Sequence, residues 1–591
     1  MSSIDQYSST ARRTIRGMHC TNSANRVVAV LLFVLMLALG VCAQDNPVRS
    51  NPSRMNASSR QELEESRTTL RATVASGRLE ILRWPNFSDY RLQLETLYQR
   101  SGYAPVWIRN GSPTPQALEM ISILQQADMK GLLAEDYDSS SWPQRLARLQ
   151  AQHTASDEAR FDTALSVCTM RYVSDLRIGR INPSHLKFGR DIGPKEMDLS
   201  TLLENRLLKG TSLESALADT EPQIAVYGEL QQALVKYMLL AKEDDGEKLP
   251  IPHSIVFFGT AYDGVPRLAR LLRLVGDLPE SAEIDKDSRL YAGPLVQAVK
   301  RYQRRHGLRP DGFLTSETIK QLNVPLSDRV EQIRLALERY RWLRYDFAQP
   351  PVIINVPGFR LYALNEEGKV GLEMTVDVGQ EYTPTPVLEN KIEYLVFRPY
   401  WDVPLDIQKD EIVSNIKDDP SYLSTANFEA VALDGHVVTD GKVSPEVLQQ
   451  IASGKLHIRQ KPGPDNSLGL VKFIFPNQYS VYLHDTPSWG KYFTDFAERD
   501  VSHGCIHLKE PAKLAAWVLR DKPEWTLERV QQAMQRGQDD LRVNLTKPLP
   551  VLIVYMTAAV RDNGDIYFYR DVYGYDAELQ DALAKGYPYS R

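Results

Sequence analysis

The apolar residues of this chain change their spacing near residue 350. From about Trp84 to Leu249 they recur at intervals of three and four. Leu92, Leu94, Leu97 and Tyr98 begin that pattern, and Ala164–Leu176 and Leu230–Leu240 continue it. Such spacing gathers apolar side chains on one face of a helix. Beyond 350 come short runs rich in β-branched and aromatic residues: Val352–Val356, Leu361–Leu364, Met374–Val378, Tyr394–Phe397, Val471–Phe475 and Ser480–Leu483. Pro, Gly or Asn bounds them, which is the signature of strands. The expected fold class is therefore multidomain α+β, helical first and mainly β at the end. At 591 residues the chain exceeds one core, and roughly 100–200 residues per domain gives three or four domains.

A hydrophobic share of 43% and a charged share of 25% fit a globular chain and exclude a wholly disordered one. The net charge of −5 gives no support for a nucleic-acid partner, and none is expected. One long apolar run, Val27–Val41, excludes a polytopic membrane protein. Arg12, Arg13, Arg16 and Arg26 precede it, and Val41-Cys42-Ala43 follows as a small-residue cleavage site. Residues 1–43 thus read as a secretory signal peptide, with an uncleaved membrane anchor as the competing reading. The run is short against the roughly 20 residues a span needs. Either way the body of the chain leaves the cytoplasm, and the expected location is the periplasm, with membrane contact only through an uncleaved N-terminus.

Cleavage would remove Cys20 and Cys42 and leave Cys168 and Cys505. Leu165, Cys168, Tyr172 and Leu176 form a helix stripe, so Cys168 reads as a small buried hydrophobe. A disulfide between the two remains open. Otherwise Cys505 is an unpaired thiol in an oxidising compartment, which calls for a chemical reason.

The domain plan follows. Residues 44–80, rich in Ser, Asn, Arg and Thr, read as a linker, and 81–255 as a helical scaffold. Residues 256–326 form a compact unit. Leu295, Val296, Val299 and Tyr302 mark a helix closed by Gly307, Asp311-Gly312 makes a turn, and Thr315 caps a second helix carrying Ile319 and Leu322. Lys300, Arg301, Arg304 and Arg305 read as its solvated face. Residues 327–349 are a connecting helix, 350–575 the β-rich domain, and 576–591 a tail. Between Asp402 and Pro464 a polar, helix-biased excursion interrupts the strands, with Ile407–Ile416 and Ser444–Ile451 as candidate helices. At about 405–464 it reads as a capping insertion, a lid or a decoration.

Three of ten histidines fall near Cys505: His484, His503 and His507. One chemistry is a thiolate nucleophile with a histidine base. An imidazole draws the proton from a thiol that is otherwise mostly protonated at neutral pH. Gly504 lets the backbone approach a substrate and leaves N–H groups for an oxyanion. A second is a zinc site. If Ser502–Leu508 is extended, His503, Cys505 and His507 share one face and His484 could join them. A structural cluster is the third reading.

Ser502-His503-Gly504-Cys505-Ile506, with an upstream histidine, resembles the signature of the YkuD-type L,D-transpeptidase catalytic domain. Leu295–Asn323 resembles a small three-helix peptidoglycan-binding domain. The chain order resembles the large Gram-negative YcbB-like subgroup, and Arg398–Pro404, Pro462–Asn466, Val471–Pro476 and Tyr482–Pro487 carry that closer likeness over roughly residues 85–575. The resemblance implies Cys505 as nucleophile and His484 as base, oriented by the backbone carbonyl of Asp485. It makes Ser502 and His503 supporting residues and gives the Gly504 and Cys505 amides to the oxyanion hole. Tyr482 and Trp401 would line the substrate cleft. His507 stands where the family usually has Arg, and an imidazole neither forks bidentately nor stays charged.

The implied protein is a cell-wall enzyme of peptidoglycan synthesis and cell shape, a cysteine acyltransferase of the EC 2.3.2 type. It would take a tetrapeptide stem as donor, form 3→3 cross-links through a thioester, use no cofactor and no metal, and be acylated by carbapenems. Other cell-wall synthesis enzymes are conceivable partners. Two alternatives stay open: a catalytically degenerate wall-binding scaffold, and a zinc-dependent wall peptidase.

Overall fold

The computed structural model describes residues 57–151, 154–186, 197–210, 212–285, 287–487, 499–561 and 564–589. The run Val27–Val41 and its cleavage site lie outside the described residues. Met1–Gln61 and Glu62–Arg591 are two units, and the contacts below all lie within the second. Among the described residues no helix is long and apolar enough to cross a membrane.

The stretch read as a linker contains the helix Ala57–Ser76, whose Leu70 and Val74 are fully buried at a four-residue interval. The helical periodicity downstream becomes the helices Arg91–Arg100, Ala155–Ile178 and Ala225–Glu243. Ala155–Ile178 runs through the centre of the first core, buried nearly all round, and Cys168 lies in it as a free, fully buried thiol. Cys505 is free as well.

In the next unit Pro294–Arg305 and Ser316–Leu322 are helices, and the Thr315 side chain accepts from Thr318 N–H at 3.1 Å. Gln303 pins the intervening turn: it accepts from Gly312 N–H at 2.8 Å and donates to Phe313 O at 2.9 Å. The basic run divides. Arg301 and Arg304 are exposed, but Arg305 is buried against Asp277, with Nε donating at 3.1 Å. Arg305 also donates to Ile566 O at 3.2 Å, so it ties this unit to the β-rich domain and is not part of a solvated face.

The helix Leu326–Trp342 is the hub. Its Glu338 accepts from Ile181 N–H at 3.1 Å and pairs with Arg341 at 3.3 Å, while Arg341 Nε donates to Tyr227 OH at 3.0 Å. Arg339 pairs with Asp576 at 2.5 Å. Charges this deep persist only when paired and hydrogen-bonded, so these contacts fix the helix against the scaffold and the C-terminal segment together.

The β-rich domain is built on nine strands in the order Asp500–Ser502, Val370–Gly379, Ile506–Leu508, Leu483–His484, Val471–Ile474, Leu388–Phe397, Leu541–Val554, Val352–Asn355 and Arg360–Leu364. Arg360–Leu364 also pairs with Val370–Gly379, which closes the sheet on itself. Its core is Val352, Ile354, Val376, Leu395, Phe397, Phe473, Leu483, Ile506 and their neighbours. In Leu541–Val554 only Val551–Val554 carries a strand signal in the sequence. Arg542, Asn544, Lys547, Pro548 and Pro550 interrupt the rest, and the ladder shifts register between Asn544 and Leu549.

The insertion contains the expected helices, as a continuous helical run over Leu405–Asp418 and as Pro445–Ala452 capped by Ser444. It also holds a four-stranded sheet, in the order Val437–Thr439, Phe428–Val431, His457–Gln460 and Trp401–Asp402. Ile412, Ile416, Leu423, Phe428, Ile451 and Ile458 give it a core of its own.

The segment read as a tail is ordered. Tyr575–Ala584 is a helix burying Tyr575, Leu579 and Leu583, one face at four-residue spacing. Tyr587 and Tyr589 then return to the scaffold. Tyr587 OH donates to Asp175, Arg171 lies 4.4 Å over the Tyr587 ring, and Tyr589 OH donates to Asp136 at 3.2 Å. Truncating a buried aromatic costs about 3–5 kcal/mol. Tyr587→Ala is expected to lower the thermal unfolding midpoint by several degrees, and an unchanged midpoint would show that this return is not structural.

Candidate active site

Two short strands set the site. Leu483–His484 pairs in parallel with Ile506–Leu508, with Leu483 opposite Ile506 and His484 opposite His507. Ile506 N–H donates to Tyr482 O at 2.9 Å, which brings Tyr482 beside Cys505. Histidine 484 is 3% exposed, and its Nδ1 lies 2.6 Å from the Asp485 carbonyl oxygen. A carbonyl only accepts, so Nδ1 carries the proton and Nε2 is left with its lone pair. Asp485 is held in turn by its carboxylate, which accepts from Leu470 N–H at 2.9 Å and Thr486 N–H at 2.8 Å.

Burial pushes the His484 imidazole down to about 3, and His507 and Lys472 act in the same direction. The two imidazoles lie with centroids 4.8 Å apart. Burial also pushes the Cys505 thiol up to about 11, partly offset by the Tyr482 backbone. At neutral pH the resting groups are therefore a thiol and a free imidazole base. The thiol is partly exposed, with Sγ 3.9 Å from Ser480 O.

Ser502–Leu508 is not one extended strand. Gly504 has φ +105°, which breaks the pleat between Asp500–Ser502 and Ile506–Leu508. His503 and His507 consequently do not share a face. His503 Nε2 reaches Glu411 Oε1 of the insertion at 2.9 Å, while His507 Nδ1 faces buried Asp377 Oδ2 at 3.7 Å. Among the described residues no cluster of three or more His, Cys, Asp or Glu side chains is placed to hold a metal ion.

Ser502 shapes the turn. Its Oγ donates to Cys505 O at 2.6 Å and accepts from Gly504 N–H at 3.1 Å. The Gly504 amide is thus engaged within the turn. The segment Gly379–Thr385 supports the turn from behind. Fully buried Thr385 donates to Gly504 O at 2.8 Å and accepts from Gly379 N–H at 2.8 Å, and Gln380 N–H donates to Ser502 O at 3.0 Å. A Cβ on Gly379 would meet Thr383 O at 2.1 Å, so only glycine fits. Tyr573 OH donates to Gly379 O at 2.7 Å, linking this support to the C-terminal segment.

Tyr482, His484, Asp485, Ser502, Gly504, Cys505 and His507 thus converge. Trp401 stands at the root of the insertion, opposite Gln460, with its ring 6.2 Å from that of Phe428. Sequence reasoning missed Asp377, Thr385, Glu411, Arg499 and Tyr573. Arg499 Nη1 lies 3.4 Å from Asp377, so a guanidinium reaches this carboxylate from outside the motif. Thr383-Pro384-Thr385-Pro386, a stiff proline-flanked loop, was the one available sign of the support.

Residues 350–534 match the L,D-transpeptidase catalytic domain (YkuD), residues 92–234 the scaffold domain, and residues 263–322 the peptidoglycan-binding domain. The chain therefore contains a YkuD-type L,D-transpeptidase catalytic domain beside a scaffold domain and a peptidoglycan-binding domain. A Haemophilus influenzae protein provisionally named an L,D-transpeptidase is 28% identical over 228 residues, covering 39% of this chain. The match spans 45% of that relative. The crystal structure of an L,D-transpeptidase from Stackebrandtia nassauensis matches at 13% identity with a TM-score of 0.21, over 52% of this chain and 97% of that one.

The His484 geometry makes a direct expectation. A folded value depressed below the ordinary 6.5 means that the native state binds fewer protons than the unfolded chain between pH 6.5 and pH 3. The stability this ring contributes is complete above 6.5 and falls as pH drops through that window, by at most about 1.4 kcal/mol per pH unit. Nitrogen-15 spectra of the histidines should show His484 as a neutral Nδ1–H tautomer down to pH 4.5. A ring that titrates near 6.5 would contradict its burial.

Proposed function

We propose that this protein is an exported peptidoglycan L,D-transpeptidase that forms 3→3 cross-links through a Cys505 thioester. The observation that carries the reading is the fixed tautomer of His484, one strand away from the turn that presents Cys505.

Cys505 Sγ attacks the carbonyl carbon between the third residue of a tetrapeptide stem and its terminal D-alanine. With a thiol near 11 and an imidazole near 3, a preformed ion pair is disfavoured. The thiol proton therefore moves to His484 Nε2 as the C–S bond forms. The tetrahedral oxyanion takes the Cys505 N–H. The C–N bond then breaks, the proton passes to the departing amine, and D-alanine leaves a thioester. A side-chain amine of a second stem attacks that carbonyl and His484 accepts its proton. Collapse expels the thiolate, which is reprotonated, and the new amide is the cross-link. Two half-reactions at one sulfur give ping-pong kinetics. Water in place of the amine gives carboxypeptidase activity. The insertion, as a lid, limits this by excluding water. Tyr482 lines the acyl site, and Trp401 and His507 flank the approach. The peptidoglycan-binding unit holds the wall, and the location is periplasmic. No cofactor enters the reaction.

Purified protein incubated with disaccharide tetrapeptide is expected to yield dimer by mass spectrometry. Cys505→Ala should abolish it, and EDTA should leave it intact. Wall binding without product would favour a degenerate scaffold, and loss with EDTA alone a zinc peptidase. His484→Ala should remove nearly all acylation, whereas His503→Ala should keep a measurable rate. Equal loss in both would overturn the assignment of the base.

Thr385→Val should lower kcat at least tenfold with little change in KM, because it releases the Gly504 carbonyl without touching the cleft. A change confined to KM would refute that role.

A further inference from the structure

We infer that Glu411 of the insertion is a positioning residue for the nucleophile turn, gripping His503 so that closure of the insertion and the setting of Cys505 are one event. The inference rests on the transpeptidase reading of the site and assigns the signature histidine a different task from the base.

Three observations support it. Glu411 Oε1 and His503 Nε2 lie 2.9 Å apart, one on the helical run of the insertion and the other in the Ser502–Cys505 turn. The insertion has its own apolar core, separate from that of the closed sheet, and joins that sheet around 398–402 and 460–470. Polar contacts make that junction: Asn466 Nδ2 donates to Pro399 O at 3.2 Å, Lys472 Nζ to Tyr400 O at 3.3 Å, and Arg398 pairs with Asp539 at 2.6 Å. A body packed on itself and hung from two crossings moves as a unit.

The third observation is the direction of the His503 ring. It is half exposed, with its side chain at 51%, and it faces the insertion. Its backbone neighbours are the opposite: Ser502 is buried and bonded to Gly504 and Cys505, and Gly504 is in a strained turn. A force on the ring therefore reaches the Cys505 amide within two residues. The contact holds in either protonation state, because Nε2–H of a neutral ring donates to a carboxylate as an imidazolium does. A pair this exposed shifts an equilibrium by roughly two- to fivefold, enough to bias a lid that must open for each stem and too little to lock it.

The test uses the full chain and reads Cys505 alone by peptide mapping. N-ethylmaleimide reports thiol reactivity, and a polyethylene-glycol maleimide reports access. Glu411→Gln and His503→Gln should each raise the bulky-to-small rate ratio roughly two- to fivefold. The double variant should rise no further than the larger single, and Glu411→Asp should fall between wild type and Glu411→Gln. Additive rises in the double variant, or a ratio unchanged in both singles, would overturn the inference. Unfolding midpoints equal to wild type certify that each variant is folded, and Glu411→Ala and His503→Ala replace any that is not. Labelling needs no turnover, so this test can fail while the transpeptidase assay succeeds, and the reverse.

Discussion

The site depends on one backbone break. A continuous strand from Asp500 to Leu508 would alternate its side chains and bury the Cys505 sulfur or turn it to bulk solvent by pleat alone. Gly504, at φ +105°, interrupts it. The chain enters the turn paired in parallel with Val370–Gly379 and leaves it paired in parallel with Leu483–His484. Ile506–Leu508 also pairs antiparallel with Val370–Gly379, so the sulfur is presented where the chain crosses from one edge of that strand to the other. Thr385, Gln380 and Ser502 hold that turn through its carbonyls, so its shape is overdetermined by hydrogen bonds from three directions.

Burial then sets the chemistry. Desolvation disfavours charge on both the thiol and the imidazole. It leaves both groups uncharged at neutral pH, which in the proposed reaction would put proton transfer inside the bond-forming step. His507 fits the same economy of charge. The carboxylate it faces, Asp377, already has the Arg499 guanidinium at 3.4 Å. An always-charged residue at 507 would bring a second cation against His484.

The domains are stitched by buried hydrogen bonds at the seams. Glu338 and Arg341 bind the hub helix to the scaffold, Arg305 binds the peptidoglycan-binding unit to the β-rich domain, and Tyr587 and Tyr589 carry the chain end back to the first core. The insertion differs. Its core is its own, and Glu411 and His503 link it to the nucleophile turn. The insertion is thus set apart from the rest of the β-rich domain by where the apolar contacts stop.

By itself the sequence determined the helical and β halves, the site of the insertion, Cys168 as a core residue, and the cluster of His484 and Cys505. Each rests on periodicity or on close spacing, which are local properties. The tertiary structure alone decided the rest. The first part of Leu541–Val554 became strand because pairing with Leu388–Phe397 satisfies its backbone, against its own polar and proline-interrupted pattern. Tyr587 and Tyr589, beyond the last helix, were placed by carboxylates more than 400 residues upstream, beyond the reach of any window. Thr385, Asp377, Arg499 and Glu411 came to the site by strand pairing and by the folding-over of the insertion. Which way His503 points followed from one glycine torsion. Hydrogen bonds and charge pairs between residues distant in the chain leave no periodic trace, so only the folded molecule could bring them together.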